Sequence, residues 1–258
     1  MSAPPPSGLT AEAYEAFARA ELEGWRERVT RPPGLVDKAA RGVQTRINRV
    51  IPEQVHAAVT KVIEQMTRAI LTGADFTTGK PLAEATLQAR EDLARRRISA
   101  YRTVGATEGG VAGAGGFLLA AAEFPVLIGT KIKLLFDLAA AYGHSGDTLA
   151  ERLYILEIFQ LAFSSAEHRH AVYDRLVAWS PDTLPSSLED FDWRRFQQEY
   201  RDYIDLAKLA QLIPLVGAPI GAIVNFRLLD RLGETAMNAY RMRVFSSSSD
   251  AGTSSQIP

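Results

Sequence analysis

Apolar positions recur at three- and four-residue steps along almost the whole chain, the signature of helices with one buried face. In IPEQVHAAVTKVIEQMTRAIL, Pro52 suits a first helical turn, and Val55, Val59, Val62, Met66 and Ile70 fall on one side. In TLAERLYILEIFQLAF, opened by Asp147 or Thr148, the corresponding side carries Leu149, Leu153, Leu156 and Phe159 or Gln160. Thr10 is a suitable N-cap for a first helix ending near Val29, where RPPG stops it, and a second helix is expected over 35–49. A long helix is expected from near Pro81 through a glycine-rich stretch to Ala122. Another should start at Pro125 and end at Tyr142, with Gly143 as its natural C-terminal residue. A short helix over about 166–179, one over FDWRRFQQEYRDYIDLAKLAQLI and a last one reaching about Val244 complete the set. No stretch alternates with the period of two that a half-buried strand requires, and no repeat of fixed period is present. The pattern therefore predicts an all-α, bundle-like single domain over 10–245, between a disordered start at 1–9 and a disordered Ser-rich tail at 246–258.

The segment EGGVAGAGGFLLAAAEFPVLIGTKIKLLFDLAAAY, Glu108 to Tyr142, admits three readings. As a phosphate-cradling loop the neighbourhood fails: Gly73 and Gly79 have five residues between them where four are needed, and Pro81 stands where a hydroxyl is required. A dinucleotide fingerprint fails too, because Leu118 occupies a glycine position and no strand precedes it. As a membrane span, the uncharged run 109–122 has fourteen residues, about 21 Å of helix against a hydrocarbon layer of about 30 Å. Extending it to Tyr142 buries Glu123, Lys131, Lys133 and Asp137 at roughly 2.5–3.5 kcal/mol each. The run 209–226 is long enough but carries Gln211, Asn225 and two prolines. The third reading is close packing. Gly105, Gly109, Gly113, Gly116 and Ala120 line one face of a single expected helix, Gly217 and Gly221 offer a second small face, and the two are expected to pair as a central Gly-rich apolar helix pair.

Charge changes the picture little. The formal net charge is −1, which gives no electrostatic case for nucleic acid. Arg95, Arg96, Arg97 and Arg102 before the first apolar segment, and Arg227 and Arg231 after the second, are candidate contacts for anionic headgroups, with a solvated helix face as the alternative. The chain has no cysteine, and His168 and His170 are two apart, on different sides of a helix, so no metal site is expected. Lys133 and Asp137 have the spacing of an intrahelical pair. Glu123, flanked by apolar residues, is the one weak candidate for an acid/base group, against a cap for a helix starting at Pro125. Trp193, Phe196, Tyr200 and Tyr203 form an aromatic stripe suited to a core or an interface. The first residues contain no apolar run able to serve as a signal peptide, so a cytoplasmic location is expected.

The glycine-rich run together with ERLYILEIFQLAFSS resembles the hallmark region of the EcsC family. EYRDYIDLAKLAQLIPLVGAPIGAIVNFRLLDRLGETAMNAYRMR is similar to that family's C-terminal block, and INRVIPEQVHAAVTK to its N-terminal part, so the likeness covers about 34–243. Members carry an acidic residue before a Phe-Pro or Leu-Pro step, matched here by Glu123 and Pro125. Tyr142, Gly143, Pro214, Gly217, Gly221 and Asn225 fall in the same motif blocks. The resemblance implies an accessory protein at the cytoplasmic face of the inner membrane, beside an ABC transporter and linked to protein secretion. Its partner would be a membrane surface or a membrane protein complex. It brings no established reaction, catalytic residue or cofactor, so a non-enzymatic protein without cofactor is expected. The alternatives are a hydrolase-type enzyme using Glu123, or a soluble interaction module working through the aromatic stripe.

Overall fold

The computed structural model describes residues 5–6, 8–32, 53–72, 79–114, 116–165, 168–181 and 218–253. These form seven α-helices and no strand: α1 (Ala11–Thr30), α2 (Glu53–Thr72), α3 (Leu87–Ala114), α4 (Gly116–Ala141), α5 (Leu149–Phe163), α6 (Arg169–Val177) and α7 (Ala218–Thr253). The all-α expectation holds. The helix expected over 35–49, the aromatic stripe from Trp193 to Tyr203, and Pro214 and Gly217 lie outside the described residues.

Local chemistry sets several boundaries as the sequence suggests. The Thr10 hydroxyl accepts the Ala13 amide at 3.3 Å, and the Thr148 hydroxyl accepts the Glu151 amide at 3.2 Å. Gly143 leaves α4 with φ +91°, and a Cβ there would stand 3.0 Å from the Ala83 Cα and 3.2 Å from the Leu82 carbonyl oxygen, so both conformation and space call for glycine.

One boundary is different. The long helix ends at Ala114, the next begins at Gly116, and α4 runs straight through Pro125. The expected single helix to Ala122 is thus a hairpin of α3 and α4. Three of the four residues at 113–116 are glycine, each costing a helix about 1 kcal/mol relative to alanine, and the chain breaks at its weakest point. Gly116 and Ala120 consequently stand on α4, not on the same helix as Gly105, Gly109 and Gly113, and Glu123 lies inside α4 with no helix start to cap. Pro125 is exposed. At the other end, α7 continues past Val244 to Thr253, and the hydroxyls of Ser246 and Ser247 each donate to the Arg243 carbonyl at 3.0 Å.

α5 forms the centre. Every residue from Leu153 to Phe163 is buried, so the one-sided face expected for it is in fact a helix enclosed all round. α7 packs most extensively on α3 and also meets α4, α5 and α1. Its direction against α3 is fixed by three contacts: Arg102 pairs with Asp230 at 3.0 Å, Ile98 lies against Gly233, and Glu91 pairs with Arg241 at 2.7 Å. The two helices are antiparallel. α4 also runs back along α3, with the Tyr101 hydroxyl donating to Asp137 at 2.7 Å and Arg90 to the Tyr142 carbonyl at 3.1 Å. The bundle therefore has a polar end, around Glu91, Tyr142 and Arg241, and a glycine end, towards the α3–α4 break and the start of α7.

Candidate functional site

The polar end holds two buried carboxylate clusters, one on each side of α7. In the first, Glu91 is fully enclosed. Arg241 grips it with two parallel bonds, Nε to Oε1 and Nη2 to Oε2, both 2.7 Å. The Tyr14 hydroxyl donates to Oε2 at 2.8 Å, Arg95 donates to the same oxygen at 3.0 Å, and a second Arg95 nitrogen donates to the Tyr14 hydroxyl at 2.9 Å. The remaining Arg241 nitrogen donates to the Asn238 side-chain oxygen at 3.0 Å. Four elements supply this cluster's neighbours, because Tyr142, at the end of α4, is buried alongside.

In the second cluster, Glu151 accepts from the Tyr240 hydroxyl and from Arg243, each at 2.7 Å. The Arg243 guanidinium lies 4.6 Å from the Tyr154 ring centre, and the Tyr154 hydroxyl donates to the Ala239 carbonyl at 2.8 Å. A short aromatic stack joins the two clusters: Tyr240 has Tyr142 at 5.2 Å and His144 at 5.3 Å, both nearly parallel to it.

Electrostatics make these groups holders, not proton carriers. Burial pushes the Tyr14 phenol well up, and Glu91 adds to the shift. Burial likewise raises Tyr240, with Glu151 adding to it. Burial opposes the Arg241 charge, but its hydrogen bonds to Glu91 more than offset that and hold the guanidinium firmly ionised. Both Glu91 oxygens are taken up by internal donors. Such an arrangement can fix three helices against each other.

One group is different. The Tyr142 hydroxyl is buried with no hydrogen-bond partner, and burial, followed by the charge on Glu91, raises its phenol strongly. A buried hydroxyl without a partner costs about 1–3 kcal/mol. Tyr142→Phe should therefore melt at or above the wild-type temperature in a thermal scan; a clear fall would show that the hydroxyl is satisfied in solution.

The sequence-level candidates are distributed unevenly. Gly105, Gly109 and Gly113 lie on α3, Gly116, Glu123 and Pro125 on α4, and Gly221 and Asn225 on α7. Tyr142 and Gly143 belong to the polar end. Of the proposed headgroup arginines, Arg96, Arg97 and Arg227 are exposed and Arg231 is half-buried. Arg95 and Arg102 are engaged elsewhere: Arg95 in the Glu91 cluster, and Arg102 with Asp230, its guanidinium 3.8 Å above the Phe226 ring. His170 pairs with Asp174 at 2.9 Å, while the His168 ring meets Ser165 at 3.0 Å, so the two do not converge. Lys133 and Asp137 do pair, at 3.5 Å.

Glu91, Glu151, Tyr14, Tyr240, Arg241 and Arg243 carry the clusters and were not singled out by sequence. Glu91 looks like one charge among many in AREDLARRR. The only available signal was YRMRVF, where two arginines alternate with residues suited to a core.

Comparison with known proteins gives a consistent result. The EcsC protein family model matches residues 17–245. Protein EcsC of Bacillus subtilis (strain 168) is 39% identical over 221 residues, covering 85% of this chain and 92% of the relative. Uncharacterized protein YdbA of the same organism is 26% identical over 247 residues, covering 86% and 90%. No solved structure matches.

Proposed function

The chain belongs to the EcsC protein family, and on that premise we propose that it is a non-enzymatic accessory protein that docks on a membrane through the glycine end of its bundle. The antiparallel register carries this reading. From the level of Arg102, Asp137 and Asp230, all three helices α3, α4 and α7 continue towards the same end, and Gly105, Gly109 and Gly113 of α3, Gly116 of α4 and Gly221 of α7 lie on that side. Along the same register Gly109 and Gly113 on α3 run towards the glycine-bearing start of α7, which suits a close helix pair. The Gly233–Ile98 approach lower on these two helices supports it.

The end also shows apolar side chains to solvent: Val126 is 61% exposed and Phe226 36%, with Pro125 and Arg227 exposed beside them in sequence. No described helix is long and apolar enough to cross a membrane, so the reading is one of docking and shallow insertion. The cytoplasmic face of the inner membrane, an ABC transporter complex as neighbour and a part in secretion come from the family likeness alone and complete the proposal.

Vesicle flotation tests it. At low salt the wild type should float with phosphatidylethanolamine/phosphatidylglycerol vesicles. The variant Val126→Asp should bind at least tenfold more weakly with an unchanged melting temperature, because the added charge costs about 2.5–3.5 kcal/mol on entering hydrocarbon. Wild-type protein that stays at the bottom of the gradient with every vesicle composition would end the reading.

A further inference from the structure

We infer that His144 is an acid-operated latch on the turn between α4 and α5: neutral, it closes the turn against α7; protonated, it swings out and the turn opens. The inference is independent of membrane docking. His144 is the first residue after Gly143, whose φ of +91° already takes the chain out of α4. Its ring stacks on Tyr240 of α7, and its Nδ1 is 3.9 Å from the Oε2 of Glu151 on α5. The imidazole remains 29% exposed, so a path to water is open.

The charged neighbours determine the direction. Glu151 attracts a proton to His144, but that carboxylate already serves Tyr240 and Arg243. Arg243 of α7 and Arg90 of α3 both repel a charge on the ring. Arg152 of α5 is committed to the carbonyls of Gly146 and Leu71, at 2.8 and 3.3 Å, and Asp147 within the turn bonds to Ser145. Burial disfavours the imidazolium first, Glu151 favours it, and the two arginines disfavour it again, with the balance holding His144 below the ordinary histidine range.

The sign follows from linkage. The open turn, with a solvated histidine, binds a proton more readily than the closed one. Closure is therefore fully favoured above the ordinary histidine midpoint of about 6.5 and is lost as pH falls below it. Among the described side chains, the other histidines, His168 and His170, belong to the region of α6.

Amide exchange over residues 143–148, corrected for its intrinsic pH dependence, reads the opening directly. Between pH 7 and 5 the opening constant of the wild type should rise by up to about tenfold per pH unit, the limit for one proton. In His144→Phe, which keeps the stack and removes the titration, it should stay flat. The same rise in His144→Phe overturns the inference. So does a His144 ring proton that titrates by NMR at or above about 6.5, a measurement that needs no variant.

Discussion

Arg241→Ala is expected to cost about 3–5 kcal/mol, the range for removing one partner of a buried ion pair. Glu91 is fully enclosed, so without Arg241 its charge has no route to water. Tyr14 and Arg95 remain bonded to one of its oxygens and keep the loss towards the lower end of the range. At about 2–4 °C per kcal/mol for a protein of this size, the melting temperature should fall by roughly 6–20 °C. The double variant Glu91→Leu/Arg241→Met removes both charges at once and should be more stable than Arg241→Ala, since the penalty arises from the stranded carboxylate. If the single variant melts within a degree of wild type, the clamp does not exist as described.

Gly233→Leu should be similarly damaging by a different route. A Cβ at Gly233 would stand 2.6 Å from the Ile98 Cδ1, 2.8 Å from Cγ1 and 3.1 Å from Cγ2, and Ile98 is itself fully buried. The first added carbon already overlaps, and an isobutyl group has nowhere to go without separating α3 from α7. Overpacking of this kind costs about 1–3 kcal/mol for a few methylenes and more where the backbone must move. Gly233→Ala adds that same Cβ against a fully buried Ile98, so the overlap should outweigh about 1 kcal/mol of helix propensity and this variant too should melt below wild type, by less than the leucine variant. Adding Ile98→Ala should recover much of the loss in the leucine variant. Superimposable melting curves for Gly233→Leu and wild type would mean that the helices stand further apart at this point.

What could be read from the sequence was chemistry confined to a few neighbouring residues. The Thr10 and Thr148 caps, the Gly143 stop and the Lys133–Asp137 pair depend on residues at most four apart, and the structure contains each. The α3–α4 boundary was misplaced because a proline is a single strong signal, whereas the cost at 113–116 is spread over several glycines. Periodicity found one face of α5 and missed that the other faces are buried too, since a helix apolar all round has no preferred side. The polar clusters were the least visible. Arg95 alone gives no hint that its carboxylate partner also binds a residue 150 positions further on. Gly233, unlike the clustered glycines over 105–116, stands alone in RLGETAMNAY, and only its opposite number on α3 explains it.

The order in which the bundle can be completed follows from where α7 stands. Glu91 leaves the ribosome 150 residues ahead of Arg241, a delay of roughly 8–30 s at about 5–20 residues per second. For that time the sides of α3, α4 and α5 that α7 later covers lack it, and Glu91 lacks Arg241. Assembly of the core must therefore await the last described helix. The nascent chain is correspondingly a natural client for a chaperone, or for a nearby surface able to shelter its uncovered helices until closure.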